Sequence, residues 1–120
     1  MKIRIKGNSV RFRLTKKEVE QFCDQGIYTE HTHFGTKMFS YCLKAKEGIT
    51  QLEAAYENDT ITIFFPKTET STWASHERVG YSNDADWNDN TVLSLLVEKD
   101  FTCLDTTLED QSDNYPNPRG

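Results

Sequence analysis

The chain has 120 residues, 36 % of them hydrophobic with seven Phe, five Tyr and two Trp, and a net charge of −5 at neutral pH. That length supports one domain burying roughly two thirds of its unfolded surface and excludes two separately folding ones. No apolar run approaches the roughly 18 residues of a membrane helix, so a soluble protein is expected.

The N-terminus opens directly on an alternating segment, with no apolar stretch of signal-peptide length, and a cytoplasmic location is the expectation. Residues 2–6 and 9–14 alternate apolar with charged, the period of a half-buried strand. Gly7-Asn8 between them suits a two-residue hairpin turn needing positive φ. A turn there sets Ile5 opposite Val10, Arg4 opposite Arg11, Ile3 opposite Phe12 and Lys2 opposite Arg13. One face is then apolar, and the other carries Lys2, Arg4, Lys6, Arg11 and Arg13. Thr15-Lys-Lys-Glu18 reads as a capping box and Gly26 as a C-terminal stop, bounding a helix over about 16–25. Its Val19, Phe22 and Cys23 share the face turned toward the sheet. Two more strands are predicted, about 28–33 and 37–44, joined around Gly35.

The first segment then recurs. Shifted by 51 positions, Ile3, Ile5, Gly7, Asn8, Val10, Phe12, Leu14, Lys16 and Phe22 fall on Ala54, Tyr56, Asn58, Asp59, Ile61, Ile63, Phe65, Lys67 and Trp73. A second helix is predicted near 67–76, weakly encoded because Pro66 replaces the capping Thr15. Strands near 79–84 and 91–99 complete the copy, the last offset by 54, with the three extra residues assigned to the loop 87–90. Strand 91–99 is apolar on both faces and reads as the most central. Each half, 2–46 and 52–99, is strand, strand, helix, strand, strand, and neither can bury its apolar face alone. The expected architecture is one α+β domain, residues 1–105. In it two similar halves close into one strongly bent sheet or barrel with two short helices, followed by an acidic tail, 106–120.

The opening Met1-Lys-Ile-Arg-Ile-Lys-Gly-Asn-Ser-Val-Arg-Phe-Arg-Leu-Thr15, the segment Val97-Glu-Lys-Asp-Phe-Thr-Cys-Leu-Asp105 and the ending Glu109-Asp-Gln-Ser-Asp-Asn-Tyr-Pro-Asn-Pro118 resemble a family of uncharacterised bacterial proteins of similar length. The resemblance covers essentially the whole chain. It implies a self-contained bacterial domain and brings no activity, cofactor or catalytic residue with it.

Three constellations carry chemistry. The basic hairpin face sets like charges opposite one another, which destabilises a strand pair, so an anion is expected there. The acids of the tail, Glu109, Asp110 and Asp113, or Glu53 and Glu57 of the second hairpin, are the internal candidates; nucleic acid or another anionic ligand is the external one. The acidic total and the lack of exposed aromatics among the bases argue against nucleic acid. His31 and His33, two apart on a strand, put both imidazoles on one side, where Glu30, Cys103 or a tail aspartate could complete a metal site for a metal-binding protein or metal-dependent enzyme. A polar, solvent-facing strand is the simpler reading of that segment. Cys103 stands near Asp100 and Asp105, which oppose thiolate formation. With Cys23 and Cys42 it forms an odd set lacking CxxC spacing, against a disulfide framework and a conventional zinc site, and Cys23 and Cys42 are expected to be buried free thiols. Asp84, Asp86 and Asp89 lack calcium-loop order and read as a turn. No phosphate loop, serine elbow or zinc-protease motif occurs, so no catalytic residue is named. The sequence therefore reads as a small, non-catalytic binding or interaction module of unknown ligand with its tail on the basic hairpin, and an open sheet edge leaves room for a homodimer.

Overall fold

The computed structural model describes residues 1–86 and 91–100. In chain order the elements are β1 (Lys2–Ile5), β2 (Ser9–Leu14), α1 (Lys16–Gln25), β3 (Ile27–Phe34), β4 (Lys37–Lys46), β5 (Glu53–Glu57), β6 (Thr60–Pro66), a short 3₁₀ helix (Lys67–Ser71), β7 (Gly80–Asp86) and β8 (Val92–Lys99). Local chemistry accounts for most boundaries. Positive φ falls on Gly7 (54°) in the first hairpin turn and on both Asn58 (53°) and Asp59 (57°) in the second, residues that tolerate it. The α1 capping box is complete: the Thr15 hydroxyl accepts from the Glu18 amide at 3.3 Å, and the Glu18 carboxylate accepts from the Thr15 amide at 2.8 Å. Gly26, left-handed at φ 80°, ends the helix and donates to the Phe22 carbonyl.

The strands form two four-stranded sheets, β1-β2-β8-β7 and β3-β4-β6-β5. This corrects the expectation of one strongly bent sheet or barrel. The reason lies in the crossings: α1 takes the chain from β2 in the first sheet to β3 in the second, and the residues after β6 take it back to β7. Among the described residues no ladder joins edge strands β1 and β3, or β5 and β7, so the two sheets do not close into a barrel. The apolar faces are instead buried by stacking one sheet on the other.

Each sheet therefore takes one hairpin from each half. The joins are the parallel pairs β2·β8 and β4·β6, and they correspond residue by residue. Val10 lies opposite Leu95, and Ile61 opposite Tyr41. The repeat carries Val10 to Ile61 and Tyr41 to Leu95. As expected of its double apolar face, β8 is an interior strand.

Three further expectations need correction. Where a second helix was predicted, the chain makes only the 3₁₀ turn and then irregular turns up to Ser75, as poor helix formers after an uncapped Pro66 would. Tyr28 and Tyr81 hold matching register positions opposite Leu43 and Val97. Their offset is 53, so two of the three extra residues precede β7 rather than lying in the loop 87–90. Asp84 and Asp86 belong to β7, not to a turn, because Asp84 pairs with Ser94 and Asp86 with Val92; Asp89 lies outside the described residues.

A single apolar cluster fills the space between the sheets, with Phe12, Leu14, Leu95 and Val97 from one and Leu43, Ile63 and Phe65 from the other. Phe22 of α1 and Trp73, equivalent in the repeat, close one end of the sandwich. Phe22 stands edge-on to Phe65 at 5.2 Å, and Trp73 lies 5.1 Å from the same ring. The indole N–H of Trp73 donates to the Arg78 carbonyl at 3.1 Å. The strand directions put the turns after β1, β3 and β5 together at the opposite end, where no helix among the described residues covers the core.

Candidate functional site

At that uncovered end the two sheets part over a cleft of about 350 Å³, lined by Ile5, Val10, Phe39, Ala54, Ala55, Tyr56, Ile61 and Leu93. Its lining is built from repeat pairs: Ile5 with Tyr56, Val10 with Ile61, and Phe39 with Leu93. The cleft thus straddles the relation between the halves, and each sheet supplies one wall. The first wall is aliphatic, from Ile5, Val10 and Leu93; the second is partly aromatic, from Phe39 and Tyr56. Ile5 is 56 % and Tyr56 65 % exposed, which sets them at the mouth, whereas Val10 is buried deeper. Where the first half has Ile3, the second has Ala54, so part of the space is the volume of the three side-chain carbons that Ala lacks relative to Ile. No ionisable group lines it apart from the Tyr56 hydroxyl. The cleft has one visible signal in the sequence, Ala54 in the place that Ile3 holds in the first half, and no motif marks it.

The basic hairpin has the predicted register, Lys2 with Arg13 and Arg4 with Arg11. Its nearest acids are ones the sequence reading did not name. Glu98 of β8, beside Arg13 in the parallel ladder, accepts from the Arg13 guanidinium at 3.0 and 3.2 Å and stands 3.7 Å from Arg11. Asp100 approaches Lys2 at 3.6 Å. Glu53 and Glu57 belong to the other sheet, and Glu53 pairs with Lys46 at 3.1 Å. Glu109, Asp110 and Asp113 lie outside the described residues, as does Cys103. Arg4 and Lys6 meet no acid among the described residues.

The chain belongs to a family of unknown function, DUF7009. The family model matches residues 1–119. No curated protein and no solved structure matches it. No helix among the described residues is long and apolar enough to cross a membrane.

Within this family member, His31 and His33 sit on β3 opposite Ser40 and Met38. His31 Nδ1 is 2.8 Å from the Ser40 hydroxyl, which is buried. Glu30 alternates to the opposite face of the strand and is bound elsewhere, so it does not join the two imidazoles. No group of three or more His, Cys, Asp or Glu able to hold a metal occurs among the described residues.

Glu30 instead completes a second polar centre. The α-ammonium of Met1 donates to Glu18 at 2.6 Å and to Glu30 at 2.7 Å, with the Met1 side chain fully buried. Burial alone would raise the Glu18 carboxyl, but hydrogen bonds from the ammonium and from Thr15, with the ammonium's charge, outweigh it and hold the group below its ordinary value. Tyr41 donates to the Met1 carbonyl at 2.7 Å. Burial and the carboxylates of Glu18 and Glu30 push the Tyr28 and Tyr41 hydroxyls upward. Every group here is satisfied by another part of the chain, so this centre reads as structural. Cys42 is buried as expected, whereas Cys23 is only half-buried, and desolvation pushes its thiol up. That shift suits an inert thiol rather than a nucleophile.

Proposed function

We propose that the protein is a non-catalytic binding module taking a neutral, largely hydrocarbon small molecule into the cleft between its sheets. The observation that carries this reading is the cleft itself: about 350 Å³ of apolar space at the end of the core that no helix among the described residues covers. Pockets of a few hundred Å³ with apolar walls and few polar groups are the usual form of small-ligand sites. The contrast between an aliphatic wall and an aromatic wall favours a flat or ring-bearing body lying against Phe39 and Tyr56. With no ionisable group inside, a charged head would remain at the mouth. The free thiols of Cys23 and Cys42 suit a reducing, cytoplasmic setting.

N-phenyl-1-naphthylamine, a neutral probe whose fluorescence rises on leaving water, tests the reading directly. One saturable site per chain is expected. Ala54→Ile restores in the second half the side chain the first half has, and should weaken the probe about tenfold, equivalent to about 1.4 kcal/mol. Absence of saturable binding, or equal binding by the variant, would rule the cleft out as the site.

A further inference from the structure

We propose that the acidic segment after Asp100, carrying Asp105, Glu109, Asp110 and Asp113, docks across the outer face of the β1–β2 hairpin and screens it from external polyanions. This is independent of the cleft, which opens between the sheets and uses Ile5 and Val10 on the opposite face of the hairpin.

The hairpin face is electrostatically unfinished. Arg4 lies directly opposite Arg11 and Lys2 opposite Arg13, and like charges in such pairs repel. Against these four bases and Lys6, the described residues bring two acids: Glu98, shared by Arg11 and Arg13, and Asp100 near Lys2. Lys16 and Lys17, opening α1 at the end of β2, add positive charge at the same border.

The chain also leaves the described structure at that border. The Asp100 amide donates to the Leu14 carbonyl at 2.7 Å, carrying the β2·β8 ladder one residue further, while the Asp100 carboxylate reaches back to Lys2. The acid immediately before the segment is thus already placed against the first base of the hairpin. Twenty residues follow, with four acids and the single base Arg119. Extended, they reach about 65 Å, whereas the hairpin face is roughly 20 Å long at the six residues of its longer strand, β2. Attachment a few residues away gives an effective concentration on the order of millimolar, so individually weak surface pairs suffice when several act together.

An external polyanion would meet the same face by the same chemistry, so the two compete. The test uses the full chain and a neutralised one carrying Glu109→Gln, Asp110→Asn and Asp113→Asn, compared by amide NMR and by heparin affinity. At low salt the amides of residues 2–6 and 9–13 should differ between the two chains, and the difference should collapse by about 0.5 M salt as screening shortens to a few Å. The neutralised chain should bind heparin several-fold more tightly. Arg4→Gln in the otherwise native chain should move the amides of 105–113 toward their positions in the neutralised chain. Coincident hairpin amides at low salt, perturbation confined to another face, or equal heparin affinity would each overturn the proposal. A concentration dependence of the hairpin shifts would also overturn it, by showing that the acids come from a second copy.

Discussion

Glu18 and Glu69 occupy the same place in the two halves and do the same thing: each accepts a hydrogen bond from a tyrosine hydroxyl. Tyr28 donates to Glu18 at 3.3 Å and Tyr81 to Glu69 at 2.8 Å. The pair survives although one glutamate sits on a capped α-helix and the other on a 3₁₀ turn. Of the two, only Glu18 also carries an ion pair among the described residues, with the Met1 ammonium. Glu18→Gln should therefore destabilise by about 1–3 kcal/mol, the range for losing a hydrogen bond to a charged group. Glu69→Gln should cost about 1 kcal/mol or less. Urea unfolding of both variants measures the difference. Because the folded Glu18 carboxyl lies below its ordinary value, its contribution is present above about pH 4.3 and lost as pH falls further. Glu18→Gln and the native chain should thus converge in acid.

At alkaline pH the tyrosines dominate. The hydroxyls of Tyr28, Tyr41 and Tyr81 are all pushed upward, chiefly by burial and then by neighbouring carboxylates. A raised folded value means that the native state holds its proton more tightly than the unfolded chain. Stability is then complete below about pH 10 and falls as pH rises above it. The urea midpoint should drop steeply above pH 10, and Tyr81→Phe should flatten that drop. An unchanged slope in the variant would assign the loss to other groups.

Gly80 opens β7 where the backbone of β8 passes closest. A Cβ there would collide with the Val97 carbonyl oxygen and lie 2.8 Å from the Glu98 Cβ. Gly80→Ala should cost about 1–3 kcal/mol, the range for overpacking, with the loss appearing in the urea midpoint. Gly35→Ala, at a positive φ with open space around it, should cost about 1 kcal/mol. The opposite ranking would mean that β7 relaxes around the added methyl.

Glu98 is the acid the described residues place against two arginines. Glu98→Gln should lower stability by about 1 kcal/mol at low ionic strength and by less at 0.5 M salt, since these partners are only partly shielded from water. A thermal melt series in salt gives the answer; a salt-independent loss would point to packing instead.

The hairpin register, the α1 capping box and the internal repeat were legible because each rests on residues close in sequence or on a plain shift of the chain. Gly7 needs the left-handed conformation, Thr15 and Glu18 satisfy one another's amides, and alternation leaves one choice of buried face. Sheet order was not legible. That β2 pairs with β8 depends on where α1 delivers the chain, and no local pattern encodes that crossing. Glu98 as the partner of Arg13 was hidden for the same reason, since only the parallel ladder brings them together. The second helix failed because Trp73 needs burial, which an irregular turn provides as well as a helix does. The cleft was half visible: Ala54 against Ile3 marks a loss of volume, but only the stacking of the sheets shows that no described residue fills it.

The exchange of hairpins between the halves has a kinetic side. Val10 and Leu95 are paired neighbours, so the first sheet forms only after nearly the whole chain has been looped back on itself, an entropic demand that slows folding. Neither half is a stopping point on the way, because each ends with its apolar hairpins in different layers. Cut in the connection between β4 and β5, the molecule becomes two interlocked subunits of similar build. That is the form two copies of one ancestral half would take, and the native chain is in effect such a swapped dimer tied together by a six-residue link, residues 47–52.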